Sequence, residues 1–227
     1  MTRVITVERA VDAAPKMEAE RFRQMMAGRG TLVVNLLSSP GSGKTSLLEA
    51  TAKLWTGTHR MGVLVGDIAT DRDAQRLAPW MPVIQLTTGG ACHLGLPLVQ
   101  QGWERLESET LEFLFIENVG NLVCPSSHDL GEHLRVVMLA TTEGDDKPAK
   151  YPKAFRTSAA MVISKTDLLP YVPFSQAAAE ADARLIRPDL EVFALSALHG
   201  TGLAEWSEFL LRQRQLRFGP DFASESA

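Results

Sequence analysis

The segment SSPGSGKT at residues 38–45 constrains the fold of this chain more than any other feature, and it directly follows the apolar run TLVVNLL at 31–37. A strand that leads through a glycine-rich loop into a helix can cradle phosphate groups, because backbone N–H groups and the positive end of the helix both face the anion. Gly41 and Gly43 allow the backbone to turn these N–H groups inward. The sequence therefore predicts that a nucleoside triphosphate binds where the strand meets the helix.

The side chains of this loop carry complementary chemistry. Lys44 brings a mobile positive charge to the β- and γ-phosphates, and the Thr45 hydroxyl is placed to ligate Mg²⁺. The usual pattern G-x-x-x-x-G-K-[ST] has glycine where this chain has Ser38, whereas the remainder, PGSGKT, fits the pattern. We expect the nucleotide to be contacted by Ser39, Gly41, Ser42, Gly43, Lys44, Thr45 and Ser46.

Seven short apolar runs alternate with polar or helical stretches along the chain. Continuous apolar runs are typical of parallel strands that are covered on both faces. The segments at 175–187 and 203–217 have apolar residues at helical spacing. The sequence therefore predicts an α/β fold with a mostly parallel seven-stranded sheet and helices on both faces, as in P-loop NTPases. The predicted strands are 31–37, 61–66, 82–87, 112–117, 133–141, 159–164 and 191–196.

We expect one large domain with two short flanking segments. Residues 1–30 are predicted to be an N-terminal helical extension, in which MEAERFRQMMAG lies on the sheet or against a partner chain. Residues 31–218 would form the P-loop GTPase domain, and residues 219–227 a flexible tail. Residues 143–153, EGDDKPAKYPK, are polar and interrupted by proline, which indicates a mobile surface loop.

The composition excludes several classes of protein. The net charge of −4 argues against a dedicated nucleic-acid-binding protein. We expect no membrane contact, because no apolar run reaches about 18 residues and the N-terminus lacks a signal-peptide pattern. A cytoplasmic location is therefore expected, where two cysteines favour metal or redox chemistry over a disulfide framework.

A second motif, SKTD at 164–167, predicts guanine recognition. The Asp167 carboxylate can accept hydrogen bonds from guanine N1–H and its exocyclic amine, while the Lys165 stem stacks on the ring. Ser164 stands where the usual N-K-x-D motif has asparagine, which predicts weaker bracing of the phosphate loop. Ser196 and Ala197 resemble the S-A-x loop that closes a guanine pocket. The alternative is that Asp167 only caps the next turn.

Two strand ends offer a carboxylate for Mg²⁺ beside Thr45. We expect Asp67 to ligate the ion and Glu117 to hold or orient a water near it, so that Lys44, Asp67 and Glu117 carry catalysis. The spacing of Glu117 and Gly120 is typical of a segment whose glycine N–H senses the γ-phosphate. Asp71 and Asp73 crowd the loop after Asp67, where their repulsion would be relieved by a nearby cation. The equal alternative is that these two are ordinary solvated acids of a surface loop.

Three soft or borderline ligands form a candidate transition-metal site. Cys92 and His93 are adjacent, and Cys124 follows the predicted strand at 112–117. Two thiolates and one imidazole suit Ni²⁺ or Zn²⁺ but are one ligand short of a closed tetrahedral site. A two-fold axis could supply the missing ligands and so link metal binding to dimerisation. The alternatives are that both cysteines are inert buried thiols and that His128 is either an extra ligand or a surface residue.

Six motifs in order resemble the hydrogenase nickel-incorporation GTPases, the HypB family, over residues 30–217: SSPGSGKTSLL, GDIATDRDAQRL, TTGGACHL, IENVGNLVCP, DLGE and SKTDLLPY. The resemblance implies a SIMIBI-class GTPase that dimerises on GTP and holds nickel or zinc at Cys92, His93 and Cys124. It also implies delivery of nickel to a [NiFe]-hydrogenase large-subunit precursor, with a HypA-type nickel/zinc protein as partner. The family's N-terminal metal-storage motifs have no counterpart here, because the five histidines are scattered.

Two other functions remain open at this point. A urease-accessory nickel GTPase resembles the chain in fold and phosphate loop, but its metal motif is Cys-Pro-His rather than a separate Cys-His and Cys-Pro. A nucleotide-gated chaperone or scaffold with structural cysteines would bind no metal at these residues. Metal titration of the cysteine variants separates the metallochaperone from the chaperone or scaffold with structural cysteines.

Overall fold

The computed structural model describes residues 13–67, 71–106 and 110–219. Seven strands form one sheet, which confirms the predicted fold class, and every strand pairing in it is parallel. The strands are β1 (Leu32–Ser38), β2 (Met61–Asp67), β3 (Val83–Thr87), β4 (Phe113–Glu117), β5 (Leu134–Ala140), β6 (Ala160–Ser164) and β7 (Glu191–Ala194). The helices are α1 (Ala13–Gly28), α2 (Lys44–Trp55), α3 (Arg72–Leu77), α4 (Leu96–Leu106), α5 (Lys147–Lys150), α6 (Pro152–Arg156), α7 (Gln176–Ile186) and α8 (Leu203–Phe218), with 3₁₀ turns at Pro125–Ser127 and Thr166–Tyr171.

The strand order β3-β2-β4-β1-β5-β6-β7 places β1 between two strands that follow it in the chain. Connections from β1 and β4 therefore leave the sheet in different directions, and ligands of such sheets bind at the carboxyl ends of the strands beside this point. Leu36 pairs with Glu117 of β4 and Ser38 pairs with Met138 of β5. The phosphate loop, which begins at the end of β1, thus emerges between the ends of β4 and β5.

Alternate residues of β1 face opposite layers of helices. Val34 belongs to the core under α2 and α8, where Trp206 and Phe209 are fully buried. Val33 belongs to the other core, under α1 and α4, with Trp103. Burial on both faces explains why the strands are continuous apolar runs, and each fully buried large apolar side chain stabilises the fold by about 2 kcal/mol.

Helix α1 lies on the sheet and is held there by both apolar and polar contacts. Phe22 and Met26 enter the core, and Arg23 binds Asp129 at 2.7 Å. His133 Nε2 donates to the carbonyl oxygen of Arg23 at 3.1 Å, and Nδ1 accepts from the backbone N–H of Val33 at 3.0 Å. Burial lowers the pKa of His133 to about 4, so the ring is neutral near pH 7. The rest of the predicted extension, residues 1–12, lies outside the described residues, as do residues 220–227 of the predicted tail.

The predicted mobile loop at 143–153 is wrong, because α5 and α6 occupy most of it. Pro148 and Pro152 lie in the first turns of these helices, where a fixed φ and a missing N–H favour a helix start. Pro148 and Phe155 are buried, so the segment also contributes to packing. Among the described residues, no helix is both long enough and apolar enough to cross a membrane.

Candidate functional site

The phosphate loop has the backbone conformation that its glycines predict. Gly41 and Gly43 have φ angles of 74° and 91°, and a Cβ on Gly41 would enter open space within the described part of the chain. Lys44 and Thr45 form the first turn of α2, and Lys44 Nζ donates to Ser38 Oγ at 2.8 Å. The serine that replaces the usual first glycine thus holds the lysine over the loop.

Glu117 contacts the phosphate loop directly. Its Oε1 accepts a hydrogen bond from Thr45 Oγ1 at 2.7 Å, and its side chain is buried at the end of β4. Burial raises the pKa of Glu117 to about 7, although Lys44 and the Thr45 hydrogen bond oppose the rise. Burial also lowers the pKa of Lys44, and the charge of Glu117 is the largest opposing influence. The two groups therefore stabilise each other's charged form inside a poorly solvated site.

Asp67 ends β2, the strand next to β4, and its charge also acts on Lys44. The register pairs Val65 with Glu117, so Asp67 lies two residues further toward the carboxyl edge of the sheet. Both candidate carboxylates thus lie near the lysine, and Thr45 donates a hydrogen bond to Glu117. Residues 68–70, which follow Asp67, lie outside the described residues.

Two buried oxygens fit an anionic nucleotide with its cation. Ser42 Oγ and Glu117 Oε2 lack a hydrogen-bond partner among the described residues, although both are shielded from solvent. Buried polar atoms without partners are costly, and a bound water, ion or ligand accounts for them at a phosphate-binding loop. The hydroxyl suits a phosphate oxygen, and the carboxylate oxygen suits a hard cation such as Mg²⁺.

The predicted guanine-binding residues surround one cavity of about 940 Å³. Ser196 Oγ donates to Asp167 Oδ1 at 2.5 Å, which fixes the orientation of the carboxylate. Lys165 has a left-handed backbone with φ of 60°, and its Nζ donates to the carbonyl oxygen of Gly41 at 2.7 Å. Ala197 and Ser46 also line the cavity. The site thus joins the base-reading motif to the phosphate loop.

Ser164 braces the phosphate loop despite replacing asparagine. Its hydroxyl donates to the carbonyl oxygen of Ser42 at 2.6 Å, and both residues are shielded from solvent. The sequence predicted weaker bracing, because a serine side chain is shorter than an asparagine side chain. β6 approaches the loop closely enough for the shorter side chain to reach the Ser42 carbonyl oxygen.

Lys147 is a site residue that the sequence interpretation missed. Its Nζ contacts Ser39 Oγ at 3.3 Å and Glu143 Oε2 at 3.4 Å. The residue begins α5 shortly after the carboxyl end of β5. The sequence signal for Lys147 is a lysine directly before Pro148, shortly after a predicted strand. The carboxyl ends of such parallel strands are where ligands bind.

The structure brings the candidate metal ligands into one surface cluster, which we call the thiol–imidazole cluster: Cys92, His93, Cys124 and His128. Cys92 is exposed and Cys124 is partly exposed, so neither is an inert core thiol. A hydrogen bond to Cys124 raises the pKa of the Cys92 thiol, and burial lowers the pKa of His93. Cys92 Sγ lies 3.9 Å from His93 Nδ1. Within the described segments, no three histidine, cysteine or acidic side chains are already arranged to hold an ion, so binding requires side-chain rotation.

One segment connects this cluster to the phosphate loop. Asn121 forms a backbone bridge with Ser38, and its Nδ2 donates to the carbonyl oxygen of Cys92 at 3.4 Å. Gly120 lies against Pro40 so closely that a Cβ on Gly120 would be 2.9 Å from the proline Cα. The chain from Gly120 to Cys124 therefore touches both sites.

Comparisons with known proteins agree with this geometry. The family described as CobW/HypB/UreG, nucleotide-binding domain, matches residues 32–194. Hydrogenase maturation factor HypB of Azotobacter vinelandii is 43% identical over 217 residues, covering 95% of this chain and 72% of the relative. The corresponding protein of Escherichia coli is 45% identical over 197 residues, covering 86% and 68%.

Two solved structures of this family share the fold. HypB from Helicobacter pylori in complex with nickel superposes with a TM-score of 0.86 at 36% identity, covering 91% of this chain and 97% of that one. HypB from Archaeoglobus fulgidus gives a TM-score of 0.83 at 35% identity, covering 89% and 99%. The family match at residues 32–194 spans the phosphate loop, the base-reading motif and the thiol–imidazole cluster, and the chain therefore belongs to the CobW/HypB/UreG family, among the HypB hydrogenase maturation factors.

Proposed function

We propose that the chain is a GTP-hydrolysing metallochaperone, which binds nickel or zinc at Cys92, His93 and Cys124 and delivers nickel during [NiFe]-hydrogenase maturation. The observation that carries the proposal is Asn121, which touches Ser38 of the phosphate loop and the backbone of Cys92. A nucleotide-dependent movement of the phosphate loop can therefore reach the metal ligands through one residue.

In the nucleotide site, each part has a separate task. The backbone of Gly41 to Gly43 and the Lys44 ammonium would bind the phosphates, with Lys44 neutralising the charge that develops on them during hydrolysis. Thr45, Asp67 and Glu117 are the groups that would hold Mg²⁺, which supplies charge neutralisation when bound. The orphaned Glu117 oxygen supports a more direct role for Glu117 than the sequence alone indicates.

The base-reading part would select guanine. Ser196 holds Asp167 through Oδ1, which gives the carboxylate at the cavity a fixed orientation, and the neighbouring Lys165 stem offers an apolar surface for the ring. Adenine lacks the N1–H and exocyclic amine pair that the carboxylate accepts. Glu117 at the phosphate end would hold or orient the attacking water if its proton has left.

The partners follow from the cargo. We infer a homodimer that depends on nucleotide and metal, a HypA-type nickel/zinc protein as exchange partner and a [NiFe]-hydrogenase large-subunit precursor as client. The neighbouring HypB structure in complex with nickel supports nickel as the cargo, whereas the two thiols also suit zinc. We also infer a cytoplasmic location, because the relatives are hydrogenase maturation factors.

The test combines nickel counting with hydrolysis. The full chain is incubated with Ni²⁺, Mg²⁺ and either GTP or a non-hydrolysable analogue, and bound nickel is measured in each peak after gel filtration. We expect nickel in the analogue-bound dimer and its release to the client precursor after GTP hydrolysis. Failure of Cys92→Ala combined with Cys124→Ala to reduce bound nickel would overturn the metallochaperone function, and absence of GTP turnover would leave a scaffold.

A further inference from the structure

His128 is a member of the thiol–imidazole cluster with no role in the proposed function so far. It directly follows the 3₁₀ turn Pro125–Ser127, four residues after Cys124. Its ring stacks on the ring of His93, with centroids 3.8 Å apart and planes at 16°. The chain therefore places a second imidazole beside the three ligand groups that the motifs identify.

The hydrogen bond of His128 determines which ring nitrogen can bind a metal. Nδ1 lies 2.9 Å from the carbonyl oxygen of Cys124. Because a carbonyl oxygen can only accept, Nδ1 carries the proton and the neutral ring has its lone pair on Nε2. Histidines that bind metals almost always donate from the other ring nitrogen to a carbonyl or a carboxylate. His128 thus already has the tautomer and the support of a metal ligand.

A hydrogen bond closes the backbone turn that carries Cys124, while the exposed side chains of the cluster can rotate. Ser126 Oγ donates to the carbonyl oxygen of Val123 at 2.7 Å, which closes the turn that carries Cys124. Cys92 and His128 are both exposed, so rotating them displaces no core side chain. The two rings must splay out of their parallel stack to point at one ion, and this opens the space between them.

We propose that His128 is the fourth ligand of the metal in this chain, which gives a two-cysteine, two-histidine site within a single protomer. The inference rests on the proposed metal binding at Cys92, His93 and Cys124 and adds where the missing ligand comes from. Such a set is complete without a two-fold partner and suits tetrahedral Zn²⁺. One ion per chain follows, held before dimerisation rather than created by it.

The test is a titration of the nucleotide-free full chain with Co²⁺, followed by competition with Zn²⁺. The absorption of Co²⁺ reports its coordination number and its thiolate ligands, and sedimentation gives the oligomeric state of the same sample. For the wild type we expect one ion per chain, a four-coordinate spectrum and a monomer. His128→Phe keeps an aromatic ring on His93 but removes the nitrogen, and we expect at least about a tenfold loss of affinity with a changed spectrum.

His128→Cys serves as the rescue variant, because a thiolate can replace the imidazole in a tetrahedral site. We expect this variant to recover four-coordinate binding with a stronger thiolate absorption. An unchanged affinity and spectrum in His128→Phe, or one ion per two wild-type chains, would overturn the inference while leaving the proposed function standing. Retention of Co²⁺ after Cys92→Ala and Cys124→Ala would instead overturn the proposed metal site itself.

Discussion

Replacing Glu117 with glutamine should remove the pH-dependent loss of folding stability that ionisation of this buried carboxyl causes in the nucleotide-free protein. The pKa of this buried carboxyl is raised from 4.5 to about 7, so its contribution to stability is fully present below pH 4.5 and is lost as the pH rises through 7. The difference between these two values corresponds to about 3 kcal/mol at alkaline pH. Glutamine keeps an oxygen that can accept from Thr45 Oγ1 but does not ionise.

The assay is urea unfolding of both proteins without nucleotide or divalent cations, at about pH 5 and about pH 8. We expect the free energy of unfolding of Glu117→Gln, relative to wild type, to rise by about 2 to 3 kcal/mol between these two pH values. His133 has the opposite dependence, because its lowered pKa makes stability fall as the pH drops from 6.5 through about 4. That effect is common to both proteins and cancels in the difference.

Glu208→Gln is the matched control, since Glu208 is exposed on α8. It should run parallel to wild type at both pH values. Parallel behaviour of Glu117→Gln as well would refute the reasoning that burial raises the pKa of this group. With GTP and Mg²⁺ present above pH 7, the wild type should gain more stability than the variant, because the cation compensates the buried charge.

Three further predictions concern single contacts. Asp167→Asn should lower the affinity for GTP by about tenfold or more and favour xanthosine triphosphate, whose second carbonyl oxygen accepts a hydrogen bond from the new amide. Titration with fluorescent nucleotides measures both affinities, and an unaltered preference for GTP would contradict the proposal that Asp167 recognises guanine. Gly120→Ala should cost about 1 to 3 kcal/mol in thermal unfolding and weaken nucleotide binding, because the added Cβ meets the backbone of Pro40; normal stability would show that the contact yields. Lys147→Met should weaken GTP binding, because its ammonium contacts the phosphate loop, whereas the control Lys153→Met should not; equal affinities would exclude that role.

The sequence predicts those parts of the structure that depend on continuous local patterns. All seven strands could be located, because buried parallel strands are uninterrupted apolar runs. The phosphate loop was recognisable because its glycines are required by φ angles near 74° and 91°. The short helices α5 and α6 could not be predicted, since their stability comes from buried Pro148 and Phe155 rather than from helix propensity.

Contacts between distant segments were the harder part of the site. The sequence favours Asp67 as the Mg²⁺ ligand and gives Glu117 only a water-positioning role, and the pairing of β4 beside β1 is what brings Glu117 to Thr45. His128 was undecided between ligand and surface residue, because its stacking on His93 depends on how two loops meet. The sequence identifies the residue types that can bind metal and nucleotide. Tertiary packing determines which of these residues lie in contact.

The contact between Gly120 and Pro40 has a mechanical consequence. The main chain of Gly120 packs directly against Pro40 with no flexible side chain between them, so no side-chain rotation can absorb a displacement of either segment. A shift of the proline-containing loop must push its neighbour along by a similar amount. The coupling between the phosphate loop and the segment that leads to Cys124 is therefore stiff. It should depend on residue 120 having no side-chain methyl group.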